Sequence, residues 1–186
     1  MRIILASKSP RRQALLARIT NDFVVIPSHA HESSIGTPRE QVLTSARSKA
    51  HAVGETHHGV ILGADTIVVL GDDVMGKPRT RSDAESMLRA LSGHSHTVLT
   101  GLHLWNTTQN IEREWCAETR VRFREITEEE MQWYLDSGEY SDKAGAYAVQ
   151  GRAAIFVASI HGEYTNVMGL PLCELSRLLR EVGVTL

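Results

Sequence analysis

Apolar positions along the chain change period several times, and each change marks an element. Residues 2–6 (RIILA) form a short apolar run that reads as a buried strand. Ser9 is placed to cap a helix that starts at Pro10, where a missing N–H does no harm. Ala14, Leu15, Leu16 and Ile19 follow at helical spacing. Residues 23–26 predict a second strand, and the polar stretch 28–36 (SHAHESSIG) predicts a loop. Thr37-Pro38-Arg39-Glu40 is a capping box with proline at the first helical position. Behind it Val42, Ala46, Ala50 and Val53 make one apolar stripe, with Lys49 beside it and Gly54 as the stop.

Residues 60–70 are a continuous apolar run of strand character, and Gly71-Asp72-Asp73 turns it back through Val74 and Met75. Ser82-Asp83-Ala84-Glu85 reads as a capping box for a helix running to Leu91 and stopping at Gly93. Residues 97–105 and 111–124 predict a hairpin, and Thr127 with Glu130 opens a helix that ends at Gly138. Residues 153–160 read as a strand. Residues 171–182 read as a closing amphipathic helix with Pro171 at its first position and Leu172, Leu175, Leu178, Leu179 and Val182 on one face. Strands and helices without strict alternation predict a mixed sheet with helices around it.

Composition narrows the picture. The chain has 186 residues, 42% hydrophobic and 23% charged, which suits one globular domain or one domain with a small lobe. A formal charge of -2 lacks the basic footprint of a duplex-binding protein, so any anion site must be local. Cys116 and Cys173 stand far apart, which argues against a disulfide framework or a zinc finger. The N-terminal apolar run is too short for a signal peptide, and no run approaches the roughly 20 apolar residues of a membrane span. A reducing cytoplasm is the expectation.

Candidate chemistry begins at Ser7-Lys8-Ser9-Pro10-Arg11-Arg12. A helix N-terminus already carries partial positive charge, so two arginines there are costly unless an anion faces them. The alternatives are a phosphate site and a strand–helix turn with two solvated arginines. Asp65 is a lone carboxylate inside an apolar strand, where an unpartnered charge is expensive, and it reads as catalytic or metal-binding. Gly63 and Ala64 beside it leave room for a ligand. Glu32, in the polar loop, is the second carboxylate that a hard divalent cation needs. Lys77, in Gly76-Lys77-Pro78, could neutralise phosphate, although by itself it reads as a turn lysine. The amide of Gln150 suits the edge of a base. Histidines pair in sequence at His29/His31, His57/His58 and His94/His96, but no third ligand stands at diagnostic spacing, so they read as surface residues.

Several pieces occur in order across nearly the whole chain: Ser7-x-Ser9-Pro10-Arg11-Arg12, Gly63-Ala64-Asp65-Thr66, Gly76-Lys77-Pro78, Leu91-Ser92-Gly93, Thr100-Gly101-Leu102, Lys143-Ala144-Gly145-Ala146-Tyr147 through Gln150-Gly151, and Asn166-x-x-Gly169-Leu170-Pro171. The set resembles the Maf family of nucleoside triphosphate pyrophosphatases, first described as septum-formation inhibitors. The resemblance implies an α/β fold with a mixed, largely curved sheet flanked by helices, similar to the inosine triphosphate pyrophosphatases. It implies a single catalytic domain over residues 1–186, with two lobes around a central cleft. Ala64-Asp65-Thr66 with Ala146-Tyr147-x-x-Gln150-Gly151 looks like the branch that hydrolyses dTTP and UTP to monophosphate and pyrophosphate, by water attack at the α-phosphorus. A 7-methyl-GTP pyrophosphatase and a non-enzymatic nucleotide-binding regulator of septum formation stay open as alternatives. By the same likeness Asp65 is the proton acceptor, and Arg12, Thr66 and Gln150 set base preference. Ser7, Arg11, Arg12, Lys49 and Lys77 surround the phosphates, and Glu32 with Asp65 holds Mg²⁺ or Mn²⁺. The expected partner is a nucleoside triphosphate, with no stable nucleic acid and no membrane; a homodimer is left open.

Overall fold

The apolar runs at residues 2–6 and 60–70 lie side by side in the computed structural model, which describes residues 2–186. Strand β1 (Ile3–Leu5) pairs in parallel with β2 (Phe23–Val25) on one side and with β3 (Val60–Leu70) on the other, Ile4 facing Val24 and Ile61. Parallel neighbours need a crossover. Helices α1 (Pro10–Leu16) and α2 (Pro38–Gly54) lie in the two crossovers. The chain continues through β4 (Asp73–Met75), antiparallel to β3, then α3 (Arg81–Leu91), β5 (Ser95–Asn106) and β6 (Ile111–Phe123). Helix α4 (Glu128–Asp136), β7 (Val157–His161), α5 (Tyr164–Val167) and α6 (Leu172–Glu181) complete it. The sheet runs β2-β1-β3-β5-β6-β7, with β4 also on β3, and β7 antiparallel to β6. This is the mixed α/β architecture expected from the sequence.

The backbone divides into two compact units. The first comprises the chain up to Thr66 together with Leu99–Ala117 and Thr165–Leu186; the second comprises Ile67–Val98 and Glu118–Tyr164.

In the first unit the α2 stripe behaves as its spacing demands: Val42, Ala46, Ala50 and Val53 are all buried. Ala50 and Val53 close a cluster with Ile4, Ala6 and Ile61. The helix lies unusually close to the sheet. A Cβ at Gly63 would overlap the Ala46 carbonyl and stand 2.9 Å from the Ala50 nitrogen. A Cβ at Gly101 would overlap the Val42 carbonyl and stand 2.9 Å from the Leu43 nitrogen. The space that Gly63 opens is therefore filled by the α2 backbone and not by a ligand, contrary to expectation.

In the second unit Phe123, Tyr134, Tyr147 and Phe156 form an edge-on aromatic cluster, with Phe123 and Tyr147 ring centroids 4.8 Å apart and those of Tyr134 and Phe156 5.5 Å apart.

Three local expectations are corrected. The cap of α3 is Thr80, not Ser82, because the Asp83 carboxylate accepts the N–H groups of Arg79 and Thr80 at 3.0 and 3.1 Å. Residues 152–156 are a 3₁₀ turn, not part of a strand, and β7 starts only at Val157. Ala153 and Phe156 are buried while Ala154 and Ile155 are exposed, a period of three that a strand lacks. Pro171 caps α6 in extended backbone, so Leu172 is the first helical residue, its N–H accepted by Thr165 Oγ1 at 3.1 Å.

Candidate active site

The close seating of α2 on the sheet places Lys49 against the one carboxylate of β3. Lys49 Nζ donates to Asp65 Oδ1 at 2.7 Å and to Glu32 Oε1 at 2.8 Å. The Lys49 and Asp65 side chains are 11% and 8% exposed, whereas Glu32 is 54% exposed. One ammonium thus bridges a sealed carboxylate and an open one. Loss of hydration drives the Asp65 pKa above its ordinary value; Lys49 and, more weakly, Arg12 oppose the shift, and Glu32 adds to it.

Arg12 is the second organising residue. Ser9 caps α1, accepting the Arg12 N–H, so the guanidinium leaves the first turn of that helix. Its Nε donates to the Gly169 carbonyl at 2.8 Å, one terminal nitrogen to Thr66 Oγ1 at 2.9 Å and the other to Ser7 Oγ at 3.3 Å. Burial lowers its pKa, with Asp65 and Glu32 acting the other way, and the group stays protonated. Arg11 is half-buried, and its charge adds to the depression of Arg12.

The proton order behind Arg12 follows from donor counting. Thr100 donates its only hydroxyl proton to the Asn166 carbonyl at 3.3 Å. Thr66, 2.9 Å from Thr100 Oγ1, must then donate to it, leaving the Thr66 oxygen to accept from Arg12. Gly169 takes a φ of +109°, a conformation that glycine adopts most easily, and so turns its carbonyl to Arg12.

The structure therefore brings Ser7, Arg12, Glu32, Lys49, Asp65 and Thr66 into two hydrogen-bonded groups within the first unit, adjacent in the chain at Asp65-Thr66. Lys77 and Gln150 are exposed residues of the second unit and take no part in the bonds described. Thr100 and Gly169 stand in the ordered motifs of the sequence but carry no assigned role there; the structure makes Thr100 a partner of Thr66 and the Gly169 carbonyl an acceptor for Arg12. The surface reading of the histidines holds at His29, His31, His58 and His94 but fails at His96, which is 2% exposed and shares a hydrogen bond with Tyr147 Oη at 2.8 Å.

The donors suit a hard cation. Glu32 and Asp65 converge on one positively charged point, as two anionic oxygens must around a divalent ion that keeps its other positions for water or phosphate. Among the described residues no helix is long and apolar enough to cross a membrane.

Residues 2–182 match the family model described as Maf-like protein. The chain belongs to the Maf-like family. Among its Maf-like relatives are proteins named dTTP/UTP pyrophosphatase. That of Carboxydothermus hydrogenoformans is 47% identical over 98% of this chain and 100% of its own. That of Symbiobacterium thermophilum is also 47% identical, over 97% and 94%. That of Thermococcus gammatolerans is 44% identical over 97% and 96%. The solved structure of a HAM1 protein from Coxiella burnetii aligns with a TM-score of 0.51 at 17% identity, covering 97% of this Maf-like chain and 99% of that one, which is a likeness of fold.

Proposed function

We propose that the protein is a nucleoside triphosphate pyrophosphatase acting on dTTP and UTP. The observation that carries this reading is the Lys49 ammonium shared between a buried Asp65 and an open Glu32, in a chain 47% identical over nearly its full length to proteins named for that reaction.

In the reaction, water attacks the α-phosphorus, its proton passes to Asp65, and the bond between the α-phosphorus and the α–β bridging oxygen breaks. Pyrophosphate leaves with the bonding electron pair and the nucleoside monophosphate remains. Burial supports the role of Asp65, since a carboxylate with a raised pKa is a better proton acceptor near neutrality. Glu32 and Asp65 would hold a divalent cation, Mg²⁺ or Mn²⁺, which when bound neutralises phosphate oxygens. Ser7, Arg11, Arg12, Lys49 and Lys77 bind phosphate. Arg12 and Thr66 with Gln150 select the base, an amide being able to pair with part of the N3–H and carbonyl edge of uracil or thymine. No covalent intermediate is required, so positioning and electrostatics carry the rate.

A pyrophosphate-release assay with dTTP, UTP, 7-methyl-GTP and ITP, in Mg²⁺ and in Mn²⁺, tests the reading. Preferred turnover of dTTP and UTP is expected. Preference for 7-methyl-GTP overturns the base assignment, and tight binding without turnover overturns the enzyme. Gln150→Ala should relax the preference for dTTP over purine triphosphates; unchanged selectivity removes Gln150 from base reading.

A further inference from the structure

The mechanism makes no use of a second group of polar side chains on the first unit, one that sequence neighbours do not reveal. His51 comes from α2, His103 from β5 and Glu112 from β6. One potential ligand atom from each lies within 4.8 Å of the others. His103 is 2% exposed, and neither of its ring nitrogens makes a well-formed hydrogen bond among the described residues. A buried imidazole whose nitrogens lack well-formed hydrogen bonds is costly, and this one faces the Glu112 carboxylate of the cluster.

We infer that His51, His103 and Glu112 form a binding site for Zn²⁺ or a similar borderline divalent ion, separate from the phosphate chemistry at Asp65. The spacing carries this. Glu112 Oε2 is 3.0 Å from His103 Nε2 and 3.2 Å from His51 Nε2. Tetrahedral zinc with bonds of about 2.1 Å sets its ligand atoms about 3.4 Å apart, close to both Glu112–histidine separations, and the two imidazole nitrogens lie within 4.8 Å of each other. Two imidazoles and one carboxylate are a donor set that zinc prefers to magnesium or calcium, and they leave a fourth position for water.

The surroundings suit the same role. His103 Nδ1 points toward Glu114 Oε2, 3.6 Å away, and that carboxylate is held by Arg47 at 2.5 Å. Outer carboxylates of this kind orient a ligating histidine. The His51 ring stacks on Trp105 with centroids 4.6 Å apart, which fixes its plane. Two carboxylates against one guanidinium keep the cluster attractive to a cation. A bound ion would staple α2 to the β5–β6 hairpin two residues beyond Lys49.

The test uses the full chain stripped of metal by chelation. Calorimetric titration with Zn²⁺ should show one tight site per chain, and Co²⁺ should give the visible bands of a four-coordinate ion. Zinc should also raise the unfolding temperature. His51→Ala and Glu112→Gln, both at partly exposed positions, should each weaken zinc binding by ~10-fold or more and abolish the cobalt spectrum. Circular dichroism and unchanged pyrophosphate release in Mg²⁺ show that both variants remain folded. Asp65→Asn should retain the zinc. Absence of uptake by the wild-type chain, uptake that survives both variants, or uptake lost only in Asp65→Asn would overturn the site. These outcomes do not depend on whether dTTP and UTP are the substrates.

Discussion

Lys49 Nζ and Asp65 Oδ1 meet at 2.7 Å where both side chains are almost sealed from water, and the same ammonium extends to Glu32 in the open. The pair sits where an α-helix and a β-strand approach too closely for a side chain at Gly63. Fold and chemistry thus depend on each other here: the contact that binds α2 to the sheet also positions the only charge able to compensate Asp65 from that helix.

Asp65→Asn tests the proton acceptor. General-base catalysis contributes roughly 10²–10⁴-fold, so kcat should fall by about that factor while the fold persists. The sign of the pH effect is fixed. The active form is the carboxylate, and burial raises its pKa above the ordinary 3.8, so wild-type kcat/KM should decline with acidification at a pH above the normal aspartate range. Near wild-type turnover in Asp65→Asn, or an acid limb at an unshifted aspartate pKa, contradicts the assignment.

Lys49→Met isolates the charge. It removes the hydrogen-bonded partner of a buried carboxylate and leaves only the weaker influence of Arg12, which costs about 3–5 kcal/mol at neutral pH. Asp65 in this variant has an even higher folded pKa, so stability returns as pH falls through that value toward the unfolded one, where both states are protonated. Urea unfolding should therefore show a large deficit relative to wild type at neutral pH and a much smaller one near pH ~4. An equal deficit at both would mean that Lys49 acts by packing alone.

Arg11 and Arg12, adjacent in sequence, should separate in experiment. Arg12 has three protein acceptors, and lysine cannot reproduce its planar fork, so Arg12→Lys should cost about 1–3 kcal/mol along with activity. Arg11→Ala should change stability by less than about 1 kcal/mol and act on substrate binding. Identical shifts in KM, kcat and base preference for Arg11→Ala and Arg12→Ala would refute the division of roles.

His96 makes the protein acid-sensitive. Burial lowers its pKa from 6.5 to about 4, so between those values the unfolded chain binds a proton that the folded chain refuses. Stability then rises with pH across that window, by on the order of 3 kcal/mol, and is lost as pH falls through it. His96→Gln keeps a hydrogen-bonding partner for Tyr147 Oη but cannot titrate, so its stability curve should be flatter between pH 6.5 and about 4. A curve parallel to wild type would mean that His96 is protonated in the folded state.

Much of this was legible in the sequence because it is local. The capping boxes at Thr37 and Thr127 appear where their spacing put them, and the apolar run from Val60 to Leu70 is a strand over its full length. Asp65 stood out because it breaks that run. Ser82 misled because its own pattern was sound, while Thr80 had an acid at the same spacing. What the sequence concealed is long-range. The Arg12–Gly169 bond spans 157 positions, and His51, His103 and Glu112 share no motif. Gly63 was marked as a place of close approach, but only tertiary packing decides what approaches.

That approach gives the last prediction. At Gly63 the obstructing atoms are the Ala46 carbonyl and the Ala50 nitrogen, backbone of a helix whose apolar stripe is wholly buried and cannot slide aside. Overpacking of a dense interior costs typically 1–3 kcal/mol, and backbone gives way less readily than side chains, so Gly63→Ala should reach about 3 kcal/mol or more. The displacement should also lift α2 and draw Lys49 from Asp65. Activity should then fall further than the lost folded fraction explains, measured as kcat per folded molecule under conditions where the variant is mostly native. Gly76→Ala is the control, since a Cβ there meets nothing within 4 Å. If Gly63→Ala matches that control in stability, the helix does not rest on the strand as described, and the positioning of Lys49 needs another cause.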